Sequence, residues 1–235
     1  LKIFTSDDKL GPFTALAQAA AFLPLKNVTD TWEAIINQTK THDISQYLPP
    51  QYIGTLLEGY KAQHALIAER FASSKSAVTE FPITLGASQL FILSKPLSRR
   101  SININPADPY GEPIVDFNTL SNPIDIKILV EAFKYTRRFF RMPSNLQLGA
   151  AESDLTSSIT SDAEIEKLLR SSLNPTESHP SCTNPMMPER LGGVVGPDLL
   201  VHGVSHLSVV DASIMPMIPA AHLSSTVYAV AEKVG

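Results

Sequence analysis

Ser178-His179-Pro180-Ser181-Cys182, Gly192-Gly193-Val194-Val195-Gly196-Pro197-Asp198, Leu207-Ser208-Val209-Val210-Asp211-Ala212-Ser213 and Pro219-Ala220-Ala221-His222-Leu223-Ser224-Ser225 follow one another near the end of the chain. The stretch from Ser178 to Val234 sets two histidines at either end of an apolar, turn-rich segment. Pro180 biases His179 toward extended backbone. His222 stands before Val227, Val230, Ala231 and Val234, whose spacing predicts one face of a closing helix. Ser224 or Ser225 is placed to cap it. A helix start presents unpaired N–H groups and a partial positive charge, so it favours an anion beside His222. Imidazoles titrate near neutrality, and a pair of them can exchange a proton with a hydroxyl or an activated carbon acid. His42, His64, His202 and His206 lack such settings and read as packing or surface residues.

The order of these motifs resembles the C-terminal signature of the glucose-methanol-choline (GMC) family of flavin-dependent oxidoreductases. There a His-Pro motif, a Gly-Gly-Val-Val-Asp-Pro turn, an Asp-Ala/Gly-Ser strand end and a second His or Asn before the last helix succeed one another. The resemblance implies that His179 and His222 are the catalytic pair. His179 would be the general base for an alcohol proton, and His222 would hold the same oxygen. It also implies that Asp211, Ala212, Ser213, His222, Leu223 and Ser224 face the flavin. The expected fold is α/β in the α+β sense: an antiparallel substrate-domain sheet backed by helices, with the C-terminal strand and helix belonging to the FAD-domain side. Residues 1–177 form the expected substrate-binding domain and 178–235 the flavin-facing segment.

The local patterns agree with that architecture. Ile53, Leu56, Leu57, Tyr60, Ile67 and Phe71 recur at helical intervals from Gln51 onward, with Gly54 and Gly59 as weak points. From Thr79 to Asn105 the period shifts toward two, through Phe81, Ile83, Leu85, Leu90 to Leu93, Ile102 and Ile104, and Ile114 to Phe117 continue it. One antiparallel sheet over 79–117 is expected, backed by helices near 51–72 and 123–141. Asn122 as cap, Pro123 at the first position and Asp125 in the first turn mark the second of these helices. Ile126, Leu129, Val130, Phe133 and Phe140 lie on its apolar face. Arg137, Arg138 and Arg141 read as its solvated end. Ser161 and Glu164 form a capping box before a short amphipathic helix. The run Ala15 to Leu25, after the Gly11-Pro12 turn, suits a helix or a close-packed loop. Leu207 to Asp211 is expected to be a strand. Lys95-Pro96-Leu97-Ser98-Arg99-Arg100-Ser101 is similar to a family turn in which Gly stands where this chain has Arg100. Met186 and Met187 suit core filling as well as a substrate cavity.

Composition narrows the function. A chain of 235 residues with 43% hydrophobic and 18% charged side chains builds a core rather than a disordered tail. Its formal net charge of -4 offers no basic field, so no nucleic acid is expected as a partner. No apolar run approaches the roughly 20 residues that cross a bilayer, and no membrane partner is expected. Cys182 is the single cysteine, which excludes an intrachain disulfide framework and a cysteine-rich metal site; no metal is expected. The sequons Asn27-Val28-Thr29 and Asn37-Gln38-Thr39 permit secretion and leave a cytoplasmic location equally open.

No Gly-x-Gly-x-x-Gly turn of the kind that holds a flavin pyrophosphate is present, so the N-terminal FAD-binding domain of the family lies outside this sequence. Three readings follow. The chain is the C-terminal part of an enzyme that oxidises the CH-OH group of a small molecule, with FAD held by a part supplied separately. Alternatively it is a truncated, FAD-independent acid/base enzyme, a cyclase, lyase or isomerase, with no cofactor. The third is a non-catalytic binding remnant. The start at Leu1 rather than Met favours the first. Expected partners are the small-molecule substrate and either an N-terminal FAD-domain polypeptide or a second copy of the chain, because an uncovered apolar strand invites association.

Overall fold

The computed structural model describes residues 19–83, 90–147 and 149–234; the Gly11-Pro12 turn, the first part of the Ala-rich run and Leu85 lie outside them. The chain enters as strand β1 (Ala19–Leu23), followed by helices α1 (Leu25–Val28), α2 (Trp32–Thr41) and α3 (Gly54–Ala72). Strands β2 (Thr79–Ile83), β3 (Ile92–Leu93), β4 (Ser101–Asn103) and β5 (Ile114–Asp116) come next. Helices α4 (Pro123–Phe140), α5 (Pro143–Gln147), α6 (Asp154–Ser157) and α7 (Asp162–Ser172) precede a long irregular segment that ends in α8 (Ser224–Val234).

The architecture is mixed helix with small antiparallel sheets, as the period-two pattern predicts, but the sheet of 79–117 divides in two. One sheet has the order β1-β2-β3 and the other is the hairpin β4-β5. Within the first, Ala21 pairs with Phe81, Phe22 with Glu80, and Glu80 with Ile92. The Ala-rich run therefore supplies a strand, not the expected helix or loop. Alanine's helical preference is local and weak, and the open edge of β2 overrides it by pairing.

Two clusters hold the body together. Leu25, Ile35, Ile67, Phe71, Val78, Leu97, Ile124 and Ile128 pack between α2, α3, α4 and the sheet. Ile126, Leu129, Val130, Ile165 and Leu169 join α4 to α7. Both helix starts are built as their sequences predict. Asn122 Oδ1 accepts from the Ile124 N–H at 3.0 Å with Pro123 at the first position. The Ser161–Glu164 capping box is complete. On α3 only Tyr60, Ile67 and Phe71 of the predicted face are fully buried. Ile53 caps the helix from outside and is 72% exposed, because the helix starts one residue later at Gly54, where φ is +54°. Gly59 is required rather than tolerated: a Cβ there would meet the Leu191 carbonyl oxygen at 2.1 Å. That close approach seats α3 on the turn Glu189–Leu191.

Three local expectations change. Arg137 is not a solvated helix end: its guanidinium binds Glu152 and donates to the Ile159 and Thr156 carbonyls at 3.0 and 2.8 Å, stapling the 152–159 loop to α4. Leu207 to Asp211 forms no strand. Ser208 makes a single bridge to Leu200, and the Asp211 carboxylate accepts from the Ser213 N–H at 2.8 Å, which turns the chain into a 3-10 turn at Ala212–Ile214. Helix α8 begins at Ser224 itself, so Ser224 and Ser225 lie in its first turn; the residue before it is Leu223, whose carbonyl accepts from the Val227 N–H at 2.9 Å. Arg100 is not among the described residues with positive φ, so the turn that has glycine in similar sequences accepts a side chain without backbone strain. Its guanidinium lies over the Phe117 ring and bonds the Pro175 carbonyl.

Candidate active site

The segment bearing His179 is fixed by a short ladder. The N–H groups of Cys182, Asn184 and Met186 donate to the carbonyls of Ala212, Ser213 and Ile214 at 3.3, 2.9 and 2.7 Å. Asn184 Nδ2 also reaches Ser213 Oγ at 3.0 Å. The 182–186 stretch thereby lies along Ala212–Ile214, and the chain just before it presents His179. Ser178 stands at φ +57°, a left-handed kink that turns the chain into the histidine.

His179 and His222 meet although 43 positions separate them in the chain: their ring centroids are 5.3 Å apart, tilted at 62° in an edge-to-face arrangement. Each ring has a different partner. His179 Nδ1 donates to the Glu177 carbonyl, which leaves Nε2 with a free lone pair. His222 Nε2 donates to Glu80 Oε1 at 2.8 Å. Glu80 sits on β2, the central strand of its sheet, and is only 6% exposed, whereas the His222 side chain is 57% exposed. A buried carboxylate needs a partner, and His222 supplies it. The carboxylate in turn fixes the orientation of the ring and places a hydrogen on Nε2. One ring thus keeps a lone pair for proton transfer, and the other is oriented by a buried carboxylate.

Sequence reasoning did not single out Glu80. The available signal was a charged residue inside the apolar alternation of Val78 to Ile83, but its partner lies 142 positions away.

Beside the rings an open cleft of about 460 Å3 is lined by Ser178, His179, Pro180, Ala212, Leu223 and Ser224 with the Val227, Tyr228 and Ala231 face of α8. Of the six residues expected to face a flavin, Ala212, Leu223 and Ser224 line this cleft and His222 stands at its edge against His179. Asp211 and Ser213 instead spend their polar groups on their own turn and on Asn184. The lining suits a ring system: apolar side chains and the Tyr228 ring form the walls, two serines supply hydroxyls, and the N-terminal end of α8 adds N–H groups that favour developing negative charge. The residues present therefore fit a flavin.

His202, Met186 and Met187 serve packing. His202 Nε2 donates to the Met187 carbonyl at 3.1 Å. Met186 packs with Val195, Leu199 and Ile214, and the Met187 side chain meets Gly59 and Gln63 on α3. Burial pushes the Cys182 thiol up, away from the thiolate a nucleophile needs. Among the described residues no group of three or more His, Cys, Asp or Glu is placed to hold a metal ion, and no helix is long and apolar enough to cross a membrane.

A family model described as GMC oxidoreductase matches residues 96–231. The dehydrogenase xptC of Emericella nidulans is 32% identical over 220 residues, which cover 93% of this chain and 35% of the relative. An FAD-dependent oxidoreductase from Chaetomium thermophilum superposes with a TM-score of 0.89 at 31% identity, and a fungal aryl-alcohol oxidase with 0.85 at 34%. Each superposition covers 99% of this chain and 40% of the solved one. The chain thus spans little more than a third of the length of the proteins it matches.

Proposed function

The chain belongs to the GMC oxidoreductase family, and on that premise we propose that it forms the substrate-side and proton-transfer part of a flavin-dependent enzyme that oxidises an alcohol. The observation that carries this reading is the asymmetric pair: His179 with a free Nε2 lone pair, 5.3 Å from His222, which is backed by the buried Glu80. FAD, when bound, supplies the acceptor for the hydride.

This chain's residues handle the proton and the oxygen. His179 Nε2 takes the hydroxyl proton, and the Glu177 carbonyl holds the ring in the tautomer that can accept it. His222 hydrogen-bonds the same oxygen and holds its orientation, while Glu80 fixes that ring. Ala212, Leu223, Ser224 and the exposed face of α8 would hold the flavin. Tyr228, which lines the cleft, is 77% exposed, which supports a further covering of this side by an FAD-binding polypeptide or a second copy.

The test is the absorbance and intact mass of native material, together with turnover on an alcohol panel. The expected result is a flavin spectrum with alcohol oxidation. Turnover of a proton-transfer reaction by flavin-free protein would keep the histidines and reject the oxidoreductase assignment.

A further inference from the structure

His222 is carried by a loop with little support of its own. Among the described residues no backbone-to-backbone hydrogen bond reaches Pro216–His222. Three side chains from elsewhere take up that work. Gln63 on α3 donates Nε2 to the Pro216 carbonyl at 2.9 Å. Lys95, in the turn after β3, donates Nζ to the Ile218 carbonyl at 2.9 Å. Glu80 receives the His222 ring at the loop's end. Met217 anchors the same loop by packing against the first core cluster.

Both donors are themselves held. The guanidinium of Arg99 donates to Gln63 Oε1 at 3.3 Å, so the Gln63 amide can only turn its NH2 toward Pro216. Arg99 also binds the Pro96 carbonyl at 2.9 Å and lies 4.8 Å from the centre of the Tyr60 ring. Asp125, fully buried in α4, accepts from the N–H groups of Leu97 and Ser98 at 2.8 and 2.7 Å, which fixes the turn on which Lys95 stands. Placing a lysine ammonium here costs desolvation, and burial lowers its pKa accordingly. An apolar side chain would fill the space without that cost, so the ammonium has a task at the carbonyl.

We infer that Lys95 and Gln63 are positioning residues that clamp the Pro216–His222 loop through two backbone carbonyls and so deliver the His222 ring to Glu80 and His179. The clamp rests on the functional reading given above, in which His222 is oriented by the Glu80 carboxylate and hydrogen-bonds the substrate oxygen. It adds that the substrate-domain turn and α3 set the ring's orientation. With the Ile218 carbonyl released, the loop keeps Met217 in the core but its distal half moves freely, and the ring samples both tautomers.

The experiment uses the chain labelled with 15N at histidine, observed at alkaline pH where imidazoles are neutral, with His222 assigned by its absence in His222→Gln. Native protein is expected to show the Nε2–H tautomer at His222 and a cross-ring contact with His179. Lys95→Met and Gln63→Leu are expected to shift the two His222 nitrogens toward a common averaged position with loss of that contact, and Lys95→Arg to restore both. Should Lys95→Met fail to fold, Lys95→Gln withdraws the donor while remaining polar. A native tautomer and contact in all folded Lys95 and Gln63 variants overturns the clamp alone. Absence of a fixed Nε2–H tautomer in the native protein overturns the clamp and the His222–Glu80 pairing together.

Discussion

His64 gives the chain a built-in acid sensitivity. It lies on α3 at 8% exposure, its ring edge-on to His42 at 5.3 Å and 5.9 Å from Tyr60, and its Nε2 is buried without a hydrogen-bond partner. Burial first, then His42 and Arg99, push it down to about 4 from an ordinary 6.5. The neighbourhood cannot compensate, because both His42 nitrogens are already engaged, Nε2 with Asn122 Nδ2 and Nδ1 with the Gln38 carbonyl, and neither is free to accept from the His64 ring. The folded value lies below the unfolded one, so between pH 6.5 and 4 the unfolded chain binds a proton that the folded chain refuses. Stability is therefore present above that window and lost as pH falls through it. From pH 7.5 to 5.0 the loss attributable to this one group is about 2 kcal/mol. His64→Leu removes the titration at similar volume. Urea unfolding of both proteins at the two pH values should show the native chain losing about 2 kcal/mol more than the variant. Equal losses in the two proteins would refute the reasoning.

Gly59→Ala forces a methyl into the Leu191 carbonyl, and thermal or urea unfolding should show a loss of about 1 to 3 kcal/mol; an unchanged midpoint would mean that α3 and the Glu189–Leu191 turn are not in the contact described. Ser161→Ala removes the side-chain half of the α7 capping box and should cost about 1 kcal/mol in the same assay, with the active-site rings undisturbed.

Local signals served the sequence reading well at two helices that carried their own punctuation. Asn122-Pro123 and Ser161 with Glu164 fixed two helix starts because capping is decided within one turn. Ala19–Leu23 was illegible as a strand, since nothing in its residues favours extended backbone over helix; the pairing with β2 decides it. Leu207 to Asp211 failed for the opposite reason: apolar alternation marks a segment able to pair, but pairing needs an extended neighbour, and Leu199 to Val201 meets it through a single bridge. The histidines stood out by their settings and by family likeness. The residues that orient them did not, because Glu80, Gln63 and Lys95 reach the site across sequence separations of 142, 153 and 123 positions. Each looks like an ordinary polar residue until the chain is folded.

The central claim is that His179 takes a substrate proton while His222, backed by Glu80, holds the oxygen. The measurement that tests it most directly is the single-turnover rate of flavin reduction by an alcohol substrate in the complete FAD-loaded enzyme, native against His179→Ala. Loss of a positioned base should slow this step roughly 10²- to 10⁴-fold with the fold and the flavin spectrum retained. A His179→Ala enzyme that reduces its flavin at the native rate would contradict the account.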